Sequence, residues 1–248
     1  MKNILKWLFF ILIGLLLTIT LIGYFYHQPL PIGEKGAKAD KLARQMMDAM
    51  GKSQWDSTMW LSWSFAERHS FVWDKDRSLV KINWDDYEVL LEIKTQKGNA
   101  YKAGKPLEGD DKEQALKYAW AYFCNDTFWL VAPLKAFDPG TERRIVTQKD
   151  GSKDLLITYS AGGVTPGDSY LWQLDESGMP TSYQMWVGII PIGGIKASWE
   201  NWTTTYAGAK IAKKHQIGPI SIYVKNLQSG ESYIDLGFSN DPFQAILN

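Results

Sequence analysis

The sequence predicts a mainly β, α+β protein: a strongly curved antiparallel sheet or half-barrel with two packing helices, preceded by one transmembrane helix. Three observations predict it. A 20-residue stretch near the start, residues 7–26, carries no charged side chain. Two later segments repeat apolar residues at helical spacing. The rest consists of short runs rich in Trp, Val, Ile, Tyr and Thr, separated by Gly, Pro, Asp and Asn.

The uncharged stretch comes first. At about 1.5 Å per helical residue it matches the ~30 Å hydrocarbon core of a bilayer. Trp7 opens it and Tyr24, Phe25 and Tyr26 close it, as interfacial aromatic belts do. Lys2 and Lys6 precede it, which favours a cytoplasmic N-terminus. A cleaved signal peptide has a shorter apolar core and a small-residue cleavage site. Here bulky Tyr24, Phe25, Tyr26 and His27 stand at that place, and no lipobox cysteine is near. The expectation is an uncleaved signal anchor over 1–26, a spacer over 27–33 and an extracytoplasmic β-rich domain over 34–248. That domain would be periplasmic in a diderm bacterium.

The first helix of the domain is expected over 35–50. Ala39, Leu42, Ala43, Met46, Met47 and Met50 share one face, and Gly51 suits its end. Its other face carries Lys38, Lys41 and Arg44, candidates for contact with lipid headgroups beside the anchor. Extended segments are then expected at 58–65, 70–74, 78–84 and 87–94, with 97–99 as a turn. A second helix is expected over 110–124, with Asp110 and Glu113 as a capping box and Asn125 as its end. Strands resume at 128–132, 143–148, 155–160, 170–175, 182–187, 197–205, 220–226 and 232–236. Ala161-Gly162-Gly163 and Gly193-Gly194 read as bends in a curved sheet.

Charge and motif exclude several functions. The chain has 27 basic and 27 acidic residues, so no basic excess points to nucleic acid. With one cysteine, Cys124, and three scattered histidines, neither a disulfide framework nor a metal site is expected. Phosphate-binding glycine loops are missing. Gly167-Asp168-Ser169 resembles the start of one esterase motif, but it leads from a turn into a strand and lacks the partnering late Asp-x-x-His. No catalytic residue and no cofactor are expected.

The unusual feature is aromatic. Eleven of the 12 tryptophans lie outside the anchor, and most fall on expected strands. They fill a closed core, wall an apolar concavity or stack on carbohydrate along a groove, and the second reading makes Trp63, Phe71, Trp73, Trp84, Trp129, Trp172 and Trp186 the candidate ligand-binding residues. The segments at 60–84 and 171–186, the latter with its LDESGMP turn, resemble hairpins of the LolA/LolB/LppX-like lipoprotein-carrier superfamily. The resemblance covers roughly residues 37–240. It implies an incomplete barrel with helices over its mouth and an apolar cavity for acyl chains. The functional expectation is therefore a membrane-tethered, non-enzymatic domain binding a lipid or another apolar ligand. A cell-envelope hydrolase acting on glycan or lipid, or a structural protein docking a partner, are the alternatives.

Overall fold

The computed structural model describes residues 2–247; within its first helix the side chains of residues 2, 3, 16, 19, 20 and 22 lie outside the description. That helix, α1 (Lys2–Tyr26), covers the uncharged run. None of its described side chains joins a core cluster of the domain. Among the described residues no helix is long and apolar enough to cross a membrane. The expected transmembrane span is thus not established by the fold. The uncharged run is a property of the sequence.

The domain begins with α2 (Ala37–Ala49), which buries Ala39, Ala43, Met46 and Met47 as the apolar spacing requires. Gly51, at φ 77°, breaks it in the left-handed conformation that glycine tolerates. A short helix α3 (Lys52–Asp56) follows, ahead of the first expected strand, and it buries Trp55.

A meander of β1 (Trp60–Phe65), β2 (His69–Asp74), β3 (Leu79–Trp84), β4 (Tyr87–Glu92), β5 (Gly98–Lys102) and β6 (Lys105–Pro106) comes next. β5 occupies the expected turn at 97–99. Helix α4 (Gly109–Val131) crosses the molecule and runs into a 3-10 turn, Ala132–Lys135. Then come β7 (Thr141–Thr147), β8 (Lys153–Tyr159), β9 (Ser169–Leu174), β10 (Pro180–Trp186), β11 (Ile195–Ser198), β12 (Glu200–Thr204), β13 (Lys210–Ile217) and β14 (Ile220–Gly230), and a final turn of helix α5 (Gln244–Leu247).

These strands form two antiparallel sheets, neither closed, rather than one curved sheet. The larger runs β12-β13-β14-β1-β2-β3-β4-β5-β6 and the smaller β11-β10-β9-β8-β7. The expected strand at 197–205 is split between them. β11 ends the small sheet and β12 edges the large one, with the buried Trp199 between. The Trp199 ring packs against Trp172 at 5.1 Å and His215 at 4.6 Å between centroids. The two sheets are further tied there by Gln216 N–H donating to Ser198 Oγ at 2.9 Å.

Strand alternation sorts the core. On the large sheet Leu61, Trp63, Phe71, Val80, Ile82, Val89 and Leu91 face α4, whose Ala115, Ala119 and Phe123 complete that cluster. The opposite face, from Trp60, Val72, Leu79 and Leu90, is covered by the C-terminal segment through Leu236 and Phe243. Arg77 clips that segment down. Its Nε reaches the buried Asp74 at 2.5 Å and its Nη1 reaches Asp241 at 2.6 Å. Residues 232–236, expected as a strand, are turns in this cover. On the small sheet Leu155, Ile157, Tyr170, Trp172, Tyr183 and Ala197 face inward, where α2 packs on them through Ala43, Met46 and Met47.

The second helix departs most from expectation. It starts at Gly109 with no side-chain cap, so Asp110 and Glu113 form no capping box. It also continues through Asn125 to Val131, absorbing the strand expected at 128–132. The residue after the expected stop is held by a tertiary contact. Asp126 is buried and accepts a hydrogen bond from His69 Nδ1 at 2.6 Å. Burial raises the Asp126 carboxyl and His69 opposes that rise.

His215 generates a prediction. It has no solvent exposure, donates from Nδ1 to the Ser198 carbonyl at 3.0 Å, and burial lowers its pKa from 6.5 to about 4. The unfolded chain therefore binds this proton first as the pH falls. Stability is complete above about 6.5 and drains away between there and 4, by an amount on the order of 3 kcal/mol. In urea titrations across this range His215→Gln should flatten the decline. An unchanged slope would show that other groups drive it.

Candidate functional site

A cavity of about 670 Å³ lies between the two sheets, beneath the C-terminal half of α4. Three sources line it. The large sheet gives Trp73, and α4 gives Trp120, Phe123, Cys124, Phe128 and Trp129. The small sheet gives Tyr170, Tyr183 and Met185. The long helix makes this possible because Phe123 packs toward the large sheet while Phe128 and Trp129 reach the small one. Phe128 lies 4.5 Å from Tyr170 and Trp129 5.5 Å from Tyr183, centroid to centroid. A volume in the several-hundred Å³ range with walls of this kind is typical of small-ligand sites.

The mouth lies at one end of the small sheet, between two loops. Residues 160–168 join β8 to β9 and residues 187–194 join β10 to β11, and both contribute to the lining. In an antiparallel meander these two connections fall at the same end. Asp168 binds the loops together. Its carboxylate accepts from Thr165 Oγ1 at 2.6 Å and from the Gly188 N–H at 2.9 Å, with Tyr170 Oη at 3.4 Å. Gly162 and Gly163, expected as bends in a curved sheet, sit in the first loop at φ 82° and 63°. The remaining rim polarity is an ion pair between Lys135 and Asp138.

The wall is chemically quiet. Burial pushes the Cys124 thiol up to about 12 and raises the Tyr170 and Tyr183 hydroxyls above their usual range. All three are neutral at pH 7. The lining acids, Asp138 and Asp168, are at the rim and engaged with the partners just named.

The expected aromatic residues divide. Trp73 and Trp129 line the cavity. Trp63 and Phe71 face the same way but are buried against each other, stacked at 4.7 Å and 14°. Trp172 is fully buried behind Tyr183 and Trp199. Trp84 borders a separate cleft of about 390 Å³ with Tyr87, Tyr118 and Tyr122. Trp186 lies on the outer face of the small sheet, where its Nε1 donates to the Gln28 carbonyl at 2.7 Å. Those five do not line the large cavity. Sequence reasoning missed Trp120 and Phe123 because they are on a helix, and Phe128, Tyr170 and Tyr183, all on expected strands, because tryptophan drew the choice. Alternation with Trp172 marks Tyr170 as a wall residue.

The basic candidates are all exposed on α2. Arg44 places its guanidinium 4.5 Å from the Phe137 ring, shared on that ring by Arg143 at 4.2 Å.

No protein-family model and no curated protein matches the chain. Among solved structures it is similar to a crystal structure described as an outer membrane lipoprotein-sorting protein domain from Vibrio parahaemolyticus. Identity is 6%, the match covers 78% of this chain and 97% of that one, and the TM-score is 0.30. That score is too low to carry a ligand or a role from that domain to this chain.

The Asp168 clasp predicts rim behaviour. Removing its carboxylate leaves the Gly188 N–H without its acceptor, at a cost on the order of 1–3 kcal/mol. Asp168→Ala should speed hydrogen exchange at Gly188 and through 187–190 by about ten- to a hundredfold, since 1.4 kcal/mol is tenfold. Exchange in β8 and β9 should stay slow. Unchanged protection at Gly188 would mean the loops hold each other by other means.

Proposed function

We propose that the domain holds an acyl chain, or a ligand of comparable length and apolarity, in the cavity between its two sheets. The observation that carries this reading is the wall itself. Side chains from both sheets and α4 converge on one space, and inside the rim set by Lys135, Asp138 and Asp168 they are mainly aromatic and aliphatic, with a protonated thiol. Burying one CH₂ contributes about 0.8 kcal/mol, so a 14–16 carbon chain contributes roughly 10 kcal/mol before ordering costs. Half of that corresponds to affinity on the order of 0.1 mM.

The chain's own helix α1 is proposed as a single-pass anchor, with the domain on the extracytoplasmic side. Its uncharged run and flanking aromatics support that assignment. Lys38 and Lys41 extend it as headgroup contacts, being exposed on the helix nearest the anchor in sequence. A glycan or lipid hydrolase would need acid groups facing one another inside the cleft. Asp138 and Asp168 instead occupy the rim in fixed contacts.

Cys124, the only thiol in the sequence, lines the cavity and reports on its contents. Full-length protein in nanodiscs should be alkylated at Cys124 by N-ethylmaleimide at pH 8, slowly because burial holds the thiol protonated. Palmitate should slow this several-fold and saturably. Trp73→Leu and Trp129→Leu should weaken the protection, while Trp84→Leu, in the other cleft, should leave it intact. Alkylation indifferent to palmitate up to millimolar concentration would overturn the reading.

A further inference from the structure

The geometry points to a membrane-facing mouth: the end of the domain that opens the cavity is held against the bilayer, with Ile189 and Val164 in the lipid interface. This rests on α1 being the anchor, and it goes further by fixing which surface of the domain the anchor presents.

The argument starts from the spacer. A Pro-containing segment of seven residues after a membrane helix would ordinarily leave a domain free to tumble. Here the segment is strapped down. The Gln28 N–H donates to the Gly193 carbonyl at 2.9 Å, and the Gly193 N–H returns to His27 Nδ1 at 3.0 Å. Gln184 Nε2 reaches Gln28 Oε1 at 3.0 Å, beside the Trp186 contact already described. Farther on, Glu34 and Ile145 exchange both backbone hydrogen bonds at 2.8 Å, adding a bridge to the β7 edge.

The glycines along this track leave room for nothing else. A Cβ on Gly193 would stand 2.3 Å from the Trp186 ring and 2.9 Å from the Gln28 carbonyl oxygen. One on Gly194 would stand 2.6 Å from the Gln28 side chain. One on Gly33 would stand 2.8 Å from the Ile145 carbonyl. The close approach of two backbones is what these positions require.

The strap therefore sets where the chain leaves the domain. Residues 27 and 28 are bonded to the β10–β11 loop, and α1 ends one residue earlier, at Tyr26. That same loop forms one lip of the cavity through Val187, Ile189 and Ile190. The anchor and the mouth thus share one end of the small sheet. The opposite end, with the β9–β10 turn around Glu176, points away.

The lips carry apolar side chains with no protein to cover them. Ile189 is 72% exposed and Val164, on the other lip, 38%. Ile32 of the strap is 93% exposed. Isolated exposed apolar residues are ordinary on a surface. These three belong to the two lips and the strap that joins the anchor, and the surface α1 enters is lipid. The occupant of this rim is the outer leaflet of the membrane that α1 crosses, and an acyl chain can pass from it into the cavity without crossing water.

The test uses the full chain with Cys124→Ala and one new thiol, Ile189→Cys or Glu176→Cys, carrying a polarity-sensitive NBD label. Both are reconstituted in phosphatidylcholine–phosphatidylglycerol vesicles, and each sample is also washed with carbonate. Label at 189 should emit to the blue and be quenched several-fold more than label at 176 by lipids with a headgroup-level nitroxide. Adding Gly193→Val, which ejects the strap, should erase that difference while the protein stays with the vesicles. If 189 behaves like 176 in carbonate-resistant protein, the orientation is wrong and the anchor stands. If carbonate strips the protein from the vesicles, the anchor reading falls and this inference with it.

Discussion

The structure depends on one long helix being apolar on two sides. α4 must bury Ala115, Ala119 and Phe123 against the large sheet, and Phe128 against the small one. A helix with a single stripe would pack on a single sheet. Because its two faces are offset along its length, α4 holds the sheets apart at one end and joins them at the other. The space left beneath its second half is the cavity. Without Phe128 and Trp129 on the helix, the small sheet would have no partner across that gap.

Polar groups inside this arrangement are few and matched by position. Asp126 would end the helix early in isolation, yet His69 satisfies it from β2. Asp74 would be costly beneath the C-terminal cover, yet Arg77 reaches it and Asp241 together. Breaking such a buried pair leaves an uncompensated charge, worth about 3–5 kcal/mol. Asp241 is held below the usual carboxylate range by that guanidinium, so the clip outlasts the pH at which a free carboxylate would protonate. These contacts are long-range in sequence, and they decide where elements stop.

That explains what could be read beforehand. The apolar spacing of α2 and the alternation of β1 to β4 are local signals, and they appear at nearly the expected residues. The end of α4 is not local, because the helix passes the expected stop at Asn125 where the next residue, Asp126, meets a partner 57 residues upstream. The break at Trp199 is invisible for the same reason, since both halves of 197–205 look extended and only their neighbours differ. β13 (Lys210–Ile217) lies outside the expected strands because Lys213 and Lys214, half-buried in the fold, interrupt its apolar pattern. Of the site, the choice of aromatic wall was legible but the choice of ring was not. Tryptophans at strand centres became core, and the cavity took rings from the helix.

One peptide, through Trp199, carries the chain from the small sheet into the large one. With its ring wedged between Trp172 and His215, this residue acts as the pin of a hinge. The angle between the sheets sets the width of the gap that α4 roofs. The breadth of the cavity is therefore governed from a residue that is absent from its lining. Repacking the pin would reshape that space with every lining residue unchanged.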